Sequence, residues 1–460
     1  MMRTLPTSRA RTALGIASTA AAACALAVAP ALTATPAAPT PGAPAPGATA
    51  PGATTPGATT PVNPSVTPVQ VVVQVPTVQA ITARIIRVDT GQVVGTLGPV
   101  NAMAGPTTIP WSGGRGPGGT GQPVADGQYR FEGLAADGVT LLPTTPATVD
   151  VDMTSPTPVI TIPAPTVPAS RRASLPLRPG GATEVRAIVR RPGNESPLVS
   201  GAWAPAGGGL PLPAALRSRG IIGTVQVTAE GRDAAGNIGT SEPVIWSVQP
   251  APGGPTVVTR IKTRKPLVAL TIDDGYGPSE ATRMVEAARS AGVTITFCFN
   301  AINSRVWSAS FQQMLRDAVK DGTLEICSHG YAHNTGKGTS ESAGISDLSR
   351  NRPWDEIAGV ASGPFYRPPY GAYGSGLLAA ARATGYRYVV LWDVDTNDWQ
   401  GPSASVITQR AVGGARRGSI VLMHTKPNSA AAFADIIRGM KRKGLEPVGL
   451  SELFAAGRPG

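Results

Sequence analysis

Only three histidines occur in the 460 residues, and two of them, His329 and His333, stand four apart in "SHGYAHNT". All three follow runs that read as buried β-strands, "TLEIC" before the pair and "SIVLM" before His424. A chain that scarcely uses histidine and sets all of it just after strands is not using it for packing. Four-residue spacing puts two imidazoles on one side of a single turn, as chelation of one ion requires. The matching negative charge stands in "TIDDGYG", where Asp273 and Asp274 directly follow the apolar run "PLVAL". Ionised carboxylates at the end of a buried strand must be paired, hydrogen-bonded or metal-bound to offset their desolvation. One carboxylate and two imidazoles leave a metal with an open position, the arrangement of a catalytic rather than a structural zinc. Zinc lowers the pKa of a bound water to about 7, and one of the tandem aspartates then stays free to take the water's proton.

Such residues need strands that end at one place. After Gly253 the strand-like runs "PLVALTIDD", "VTITFCFN", "TLEICSHG", "YRYVVLWDV" and "SIVLMHT" alternate with helical stretches at 279–290, 309–320, 374–384 and 429–443. This alternation predicts an α/β domain of parallel strands with its site at their carboxyl ends.

The motifs "TIDDG", "HGYAH", "RPPYGAY", "WDVDTNDW" and "IVLMH" occur in that order between Arg264 and Leu453. Across this stretch the chain resembles the polysaccharide deacetylases, carbohydrate esterase family four. The resemblance implies a distorted (β/α)7 barrel and a hydrolase that removes acetyl groups from an N-acetylated polysaccharide. It implies that Asp274, His329 and His333 bind a divalent metal, zinc with cobalt or nickel as alternatives, and that Asp273 is the general base, oriented by Arg367. The backbone N–H of Tyr370 would help to stabilise the oxyanion, and His424, held by Asp398, would protonate the leaving amine. Trp399, Leu422 and Trp392 would line the acetyl pocket. The chemistry suits these residue types independently. An acetamide is a poor electrophile with a poor leaving group, so it needs a Lewis acid, an activated water and a proton donor. Taken by themselves, Arg367 reads equally as a surface arginine, Trp392 and Trp399 as core residues, and Asp393 and Asp395 as formers of loop hydrogen bonds. The sequence departs from the family pattern at Ile272, where phenylalanine is usual, at Gly330, where serine or threonine follows the first metal histidine, and at Thr425, where aspartate is common. Gly330 forfeits a loop hydrogen bond and Thr425 alters the acid's surroundings, but no reactive atom is lost.

At 460 residues the chain exceeds one ordinary domain. Arg3, Arg9 and Arg11 precede an alanine-rich apolar stretch from Ala13 to Ala31, the layout of a signal peptide over residues 1–34. A retained membrane anchor is the alternative, and Cys24 in "AAAC" lacks the surroundings of a lipid-attachment site. Residues 35–68 are nearly all Ala, Pro, Thr and Gly with recurrent "PGA", which predicts a disordered, extended spacer. Short alternating runs then predict two all-β sandwiches, 69–153 and 154–250, ahead of the α/β domain at 256–457. Trp111 and "DGQYRFEGLAADG" in the first are echoed by Trp203 and "GTVQVTAEGRDAAGN" in the second, and the former resembles the immunoglobulin-like repeats of bacterial surface and flagellar-hook assembly proteins. Export would leave Cys298 and Cys327 either as a disulfide or as two buried thiols. The net charge of +12 suits an anionic wall polymer, while aromatics at 5% and the lack of basic blocks interleaved with them disfavour nucleic acid. The expectation is a secreted, cell-wall-associated monomer without a membrane span after processing, acting on peptidoglycan or a chitin-like glycan. The alternatives are an O-acetyl esterase on xylan-type glycans, a non-catalytic wall-binding protein, and a metal-independent relative acting on small amides.

Overall fold

The computed structural model describes residues 60–116, 118–162, 174–250, 253–334 and 336–460. The expected leader and most of the expected spacer lie outside these residues. Residues 60–68, grouped with the spacer by composition, pair with the folded part: Val62 bridges Val151, and the buried Asn63 donates from its backbone N–H to the carbonyl of Ala235. Among the described residues no helix is long and apolar enough to cross a membrane.

The described residues up to Val248 are all-β apart from short helical turns, with two separate cores. In the first, Gln79–Arg87 pairs antiparallel with Val93–Ala102 and Gly127–Leu134, while Val69–Val75 pairs with Gly105–Trp111. Alternate residues point to one face of a strand, so Ile81, Ala83 and Ile85 meet Val71, Val73 and Val75 around the fully buried Trp111. In the second, Glu184–Arg190 pairs antiparallel with Gly223–Arg232, and Val185, Ala187 and Val189 share a core with Val225, Val227 and Ala229. The two tryptophans that the sequence sets in parallel stand in different surroundings. Trp203 is half-buried and stacks between the guanidinium groups of Arg186 and Arg232, at 4.7 and 4.8 Å from its ring centre.

From Thr256 the grammar becomes βα. Leu267–Asp274 lies at the middle of a parallel sheet, between Ile295–Phe299 and Ile420–His424, and the path continues through Leu324–Ser328, Phe365–Tyr366 and Tyr388–Val390. Residues 388–395 pair with Phe365–Tyr366 through their first half and with Ile420–His424 through their second, so the sheet curls almost back on itself. Every residue of the strands 267–274, 295–299 and 324–328 is buried, which is why these strands read as continuous apolar runs rather than alternating ones. Val268, Leu270 and Ile272 face the outer helices, including Pro278–Ala291 and Pro427–Arg442, whereas Leu267 and Ala269 face inward. The inward cluster includes Cys298 and Cys327, directly opposite each other on neighbouring strands and joined in a disulfide.

The amino end of this sheet is closed by the second β region. Ile222 sits in the inward cluster, and full burial of such a side chain stabilises by about 1.5–3 kcal/mol. Beside it Glu325 accepts from the backbone N–H of Ser451 at 2.9 Å and from its hydroxyl, while Arg191 Nη1 donates to the carbonyls of Ile222 and Thr224 at 3.1 and 2.9 Å.

Candidate functional site

In a regular strand adjacent side chains point to opposite faces, so consecutive aspartates should not share a site. Asp273 keeps the inward parity of Ala269 and Thr271. Asp274 escapes the alternation by turning to φ 77°. Its carbonyl still closes the ladder with the neighbouring strand, accepting from the backbone N–H of Asn300 at 3.2 Å, and also accepts from Asn303 Nδ2 at 2.8 Å. Four non-glycine residues have positive φ among the described residues: Asp274, His333, Tyr370 and Asn397. The first three line one pocket and Asn397 directly precedes Asp398, and each such conformation costs on the order of 1–3 kcal/mol, to be offset by the surrounding packing.

Asp274 Oδ1 is buried, makes no well-aligned hydrogen bond, and lies 3.5 Å from His329 Nε2 and 3.2 Å from His333 Nε2. His329 Nδ1 lies 2.7 Å from the carbonyl of Arg367. A carbonyl only accepts, so Nδ1 carries the proton and Nε2 keeps its lone pair toward Asp274. One atom from each of Asp274, His329 and His333 falls within 4.8 Å of the other two. The orphaned carboxylate oxygen and the hard-oxygen, imidazole donor set fit a divalent cation. Burial alone would raise the Asp274 carboxyl, but the two imidazoles outweigh it and hold the group well below the usual carboxylate range.

Asp273 Oδ1 accepts from Arg367 Nη1 at 2.8 Å, and its other oxygen stands 3.8 Å from His329 Nε2. Arg367 is no surface residue: it is 0% exposed, and its Nε and Nη2 donate to the carbonyls of Val390 and Leu391 at 3.1 and 3.3 Å. Across the site, His424 Nδ1 lies 2.7 Å from Asp398 Oδ1. Asp398 Oδ2 accepts from the His424 backbone N–H at 2.7 Å and from Ser429 Oγ at 2.5 Å. Burial opposes the imidazolium, yet Asp398, with smaller contributions from Asp273 and Asp274, raises the His424 pKa above its ordinary value. Asp398 itself is held low by His424 against its burial.

These groups open into a pocket of about 570 Å³ that is also lined by Tyr370, Trp392, Trp399 and Leu422. The structure therefore brings the expected metal ligands, base, acid and pocket-lining residues to one place, with Arg367 and Asp398 bonded behind them. Tyr370 is exposed and sets its ring edge-on to His333, 4.7 Å between centres, while Trp399 is exposed and Leu422 buried. Asp395 lines the pocket and accepts from the Asn397 backbone N–H at 2.8 Å. Asp393 is turned to the fold, accepting from the Ile420 backbone N–H at 2.9 Å and from Ser419 Oγ at 3.1 Å. At the departure Thr425, the hydroxyl accepts from the Gly277 backbone N–H at 3.3 Å.

Sequence reading missed Tyr276 and Lys426. Both line the pocket, with Lys426 Nζ 5.1 Å from the Tyr276 ring centre. Their positions, two residues beyond Asp274 and His424 respectively, were the available signal. Ser429, Asn300 and Asn303 were also missed, since they act on functional groups only through tertiary contacts.

Comparison with known proteins gives a family-model match to polysaccharide deacetylase over residues 260–389. A peptidoglycan-N-acetylglucosamine deacetylase of Bacillus cereus is 30% identical over 193 residues, covering 41% of this chain and 68% of the relative. A bifunctional xylanase/xylan deacetylase of Cellvibrio japonicus is 33% identical over 182 residues, 39% of this chain and 26% of the relative. The chain thus spans about two thirds of the first protein's length and about a quarter of the second's. Among solved structures, a family-four pseudoenzyme from Bacillus anthracis matches at 23% identity and a TM-score of 0.39, over 46% of this chain and 74% of that one.

Proposed function

The chain belongs to the polysaccharide deacetylase family, carbohydrate esterase family four, and from that premise we propose that it is a secreted, metal-dependent hydrolase that removes acetyl groups from an N-acetylglucosamine-containing polysaccharide such as peptidoglycan or a chitin-like glycan. The observation that carries this reading is the convergence in one pocket of a three-residue donor set, an Arg-paired carboxylate and an Asp-paired imidazole. Asp274, His329 and His333 hold the cation. When bound, it supplies Lewis-acid polarisation of the acetyl carbonyl and acidifies water.

The rest of the chemistry belongs to the chain. Asp273, oriented through one oxygen by Arg367, uses the other to take a proton from the attacking water. The water oxygen bonds to the acetyl carbon, and the backbone N–H of Tyr370 stabilises the charge that develops on the carbonyl oxygen. His424 has its Nδ1–H committed to Asp398, so Nε2 gives the proton to the departing nitrogen as the C–N bond breaks. Acetate and a free amine result, and the atoms balance. The raised His424 pKa keeps this acid charged at higher pH than an ordinary imidazole. Trp399, Leu422 and Trp392 enclose the acetyl methyl group.

Export over 1–34, a spacer, two immunoglobulin-like sandwiches at 69–153 and 154–250 and a catalytic domain at 256–457 make up the organisation of this reading, with the monomer placed at the cell wall. The buried disulfide agrees with an oxidising compartment. Zinc is the metal of choice for the donor set, with cobalt or nickel able to replace it. A second reading, hydrolysis of O-acetyl esters on xylan-type glycans, is favoured by the relative from Cellvibrio japonicus. Acetate release from peptidoglycan, chitooligosaccharides and acetylxylan, measured on metal-loaded full-length protein, tests both. Release from the N-acetylated glycans, lost on chelation and restored by zinc, is the expected result. Folded, metal-loaded protein that binds these polymers and frees no acetate would overturn it.

A further inference from the structure

The two imidazoles of the metal site sit on the turn His329–His333, beyond the end of the strand Leu324–Ser328, where backbone bonds to the neighbouring segment run from the N–H of His329 to the carbonyl of Phe299 at 3.3 Å and from the N–H of Ile302 to the carbonyl of Tyr331 at 3.1 Å. Asn300 braces one side, its Nδ2 donating to the carbonyl of His329 at 2.6 Å and to that of Gly330 at 3.2 Å. Asp347, on the outer helix Glu341–Ser349, braces the other. The backbone N–H of Tyr331 donates to its Oδ2 at 3.1 Å, and that of Ala332 to its Oδ1 at 3.3 Å. A single carboxylate thus takes two consecutive amides midway between the two histidines. Beyond the end of the helix, Arg350 lays its guanidinium 3.8 Å from the centre of the Tyr331 ring. Gly330 completes the fit. At φ 72° it tolerates the turn, and a Cβ there would stand 2.4 Å from Asp347 Oδ2. The position at which the sequence leaves the family pattern is therefore the one whose side-chain space this carboxylate fills.

We propose that Asp347 is a positioning residue of the metal site: its carboxylate and the bare Gly330 form a matched pair that fixes the separation of the His329 and His333 imidazoles. The proposal rests on reading Asp274, His329 and His333 as metal ligands. Two charge-assisted bonds to the middle of a short turn restrict both flanking ligands, and partners at this remove from a metal typically change its affinity 10–100-fold.

The test uses full-length protein and zinc alone, without glycan. In Asp347→Ala, zinc affinity, read by competition with a chromophoric chelator, should fall about 10–100-fold. Amide exchange at residues 331–332 of the metal-free protein should accelerate, while the unfolding midpoint of that metal-free protein stays close to wild type. Asp347→Asn keeps one acceptor and should fall between the two, and it carries the test should the alanine variant not fold. Folded variants with zinc affinity within twofold of wild type would overturn the proposal. Failure of the metal reading itself looks different, because His329→Ala/His333→Ala would then bind zinc as well as wild type.

Discussion

Asp274, at the carboxyl end of its strand, and Glu325, at the amino end of a strand in the same sheet, are 3% and 4% exposed, yet their carboxyl groups are displaced in opposite directions. At the mouth, imidazoles outweigh burial and keep Asp274 ionised. At the floor, burial outweighs the Ser451 hydrogen bonds and the more distant Arg191, and Glu325 rises above the ordinary glutamate range. Asp355, buried on the short helix Arg352–Ala358, behaves like Glu325 and is pushed up to about 7 by burial. Withdrawal from water therefore does not decide the charge of a carboxyl here; the partner does. Imidazole partners are supplied at the mouth, where a cation would be held, and hydroxyl and amide partners suffice where a side chain only fills a joint.

The largest effect that could break this contrast comes from Asp273→Asn. Acetate release should drop about 10²–10⁴-fold, and Arg367, left buried opposite a neutral amide, should cost the fold several kcal/mol in denaturant unfolding. Full activity in a folded variant would remove Asp273 from its role. At the floor, Ile222→Ala should cost about 2–5 kcal/mol of stability while leaving zinc affinity unchanged. An unaffected unfolding midpoint would show that the second β region is not part of the barrel's core.

Asp398→Asn sharpens the comparison within the mouth. Asp398 raises His424, so its loss should move the alkaline limb of the kcat profile to lower pH. The stability that this pair contributes is present below the unfolded histidine pKa and is lost as pH rises through the folded one. A limb that stays in place would assign the acid elsewhere. Smallest of all is Glu325→Gln. The raised carboxyl contributes stability that is present below the ordinary glutamate pKa and is lost as pH climbs through the folded value. The variant should flatten that dependence in pH-resolved thermal unfolding, without a change in acetate release. An unaltered pH profile of stability would mean that Glu325 is ionised after all.

The reactive residues were legible because their types are rare and their places regular: three histidines and a tandem aspartate, all just beyond apolar runs that the sheet buries on both faces. The expected helix at 309–320 was met residue for residue, and those expected at 279–290 and 429–443 within a residue or two. The helix Glu341–Ser349 was not read, because "ESAGISDLS" carries a glycine and few apolar residues and shows little periodicity. Nor was Phe365–Tyr366, which is too short to show alternation and yet delivers Arg367. What the sequence hides altogether is backbone shape. Nothing in the letters of Asp274, His333 or Tyr370 announces a left-handed conformation, and that conformation is what lets two adjacent carboxylates face one pocket.

Neither sulfur of the Cys298–Cys327 bond reaches solvent, and the bond spans 29 positions that include Asn300, Asn303 and the helix Ala309–Lys320. On the chain-entropy account, closing a loop of that length stabilises the fold by about 3–4 kcal/mol. A reducing agent can attack only when the two strands part, so the rate of thiol release counts how often the barrel breathes open.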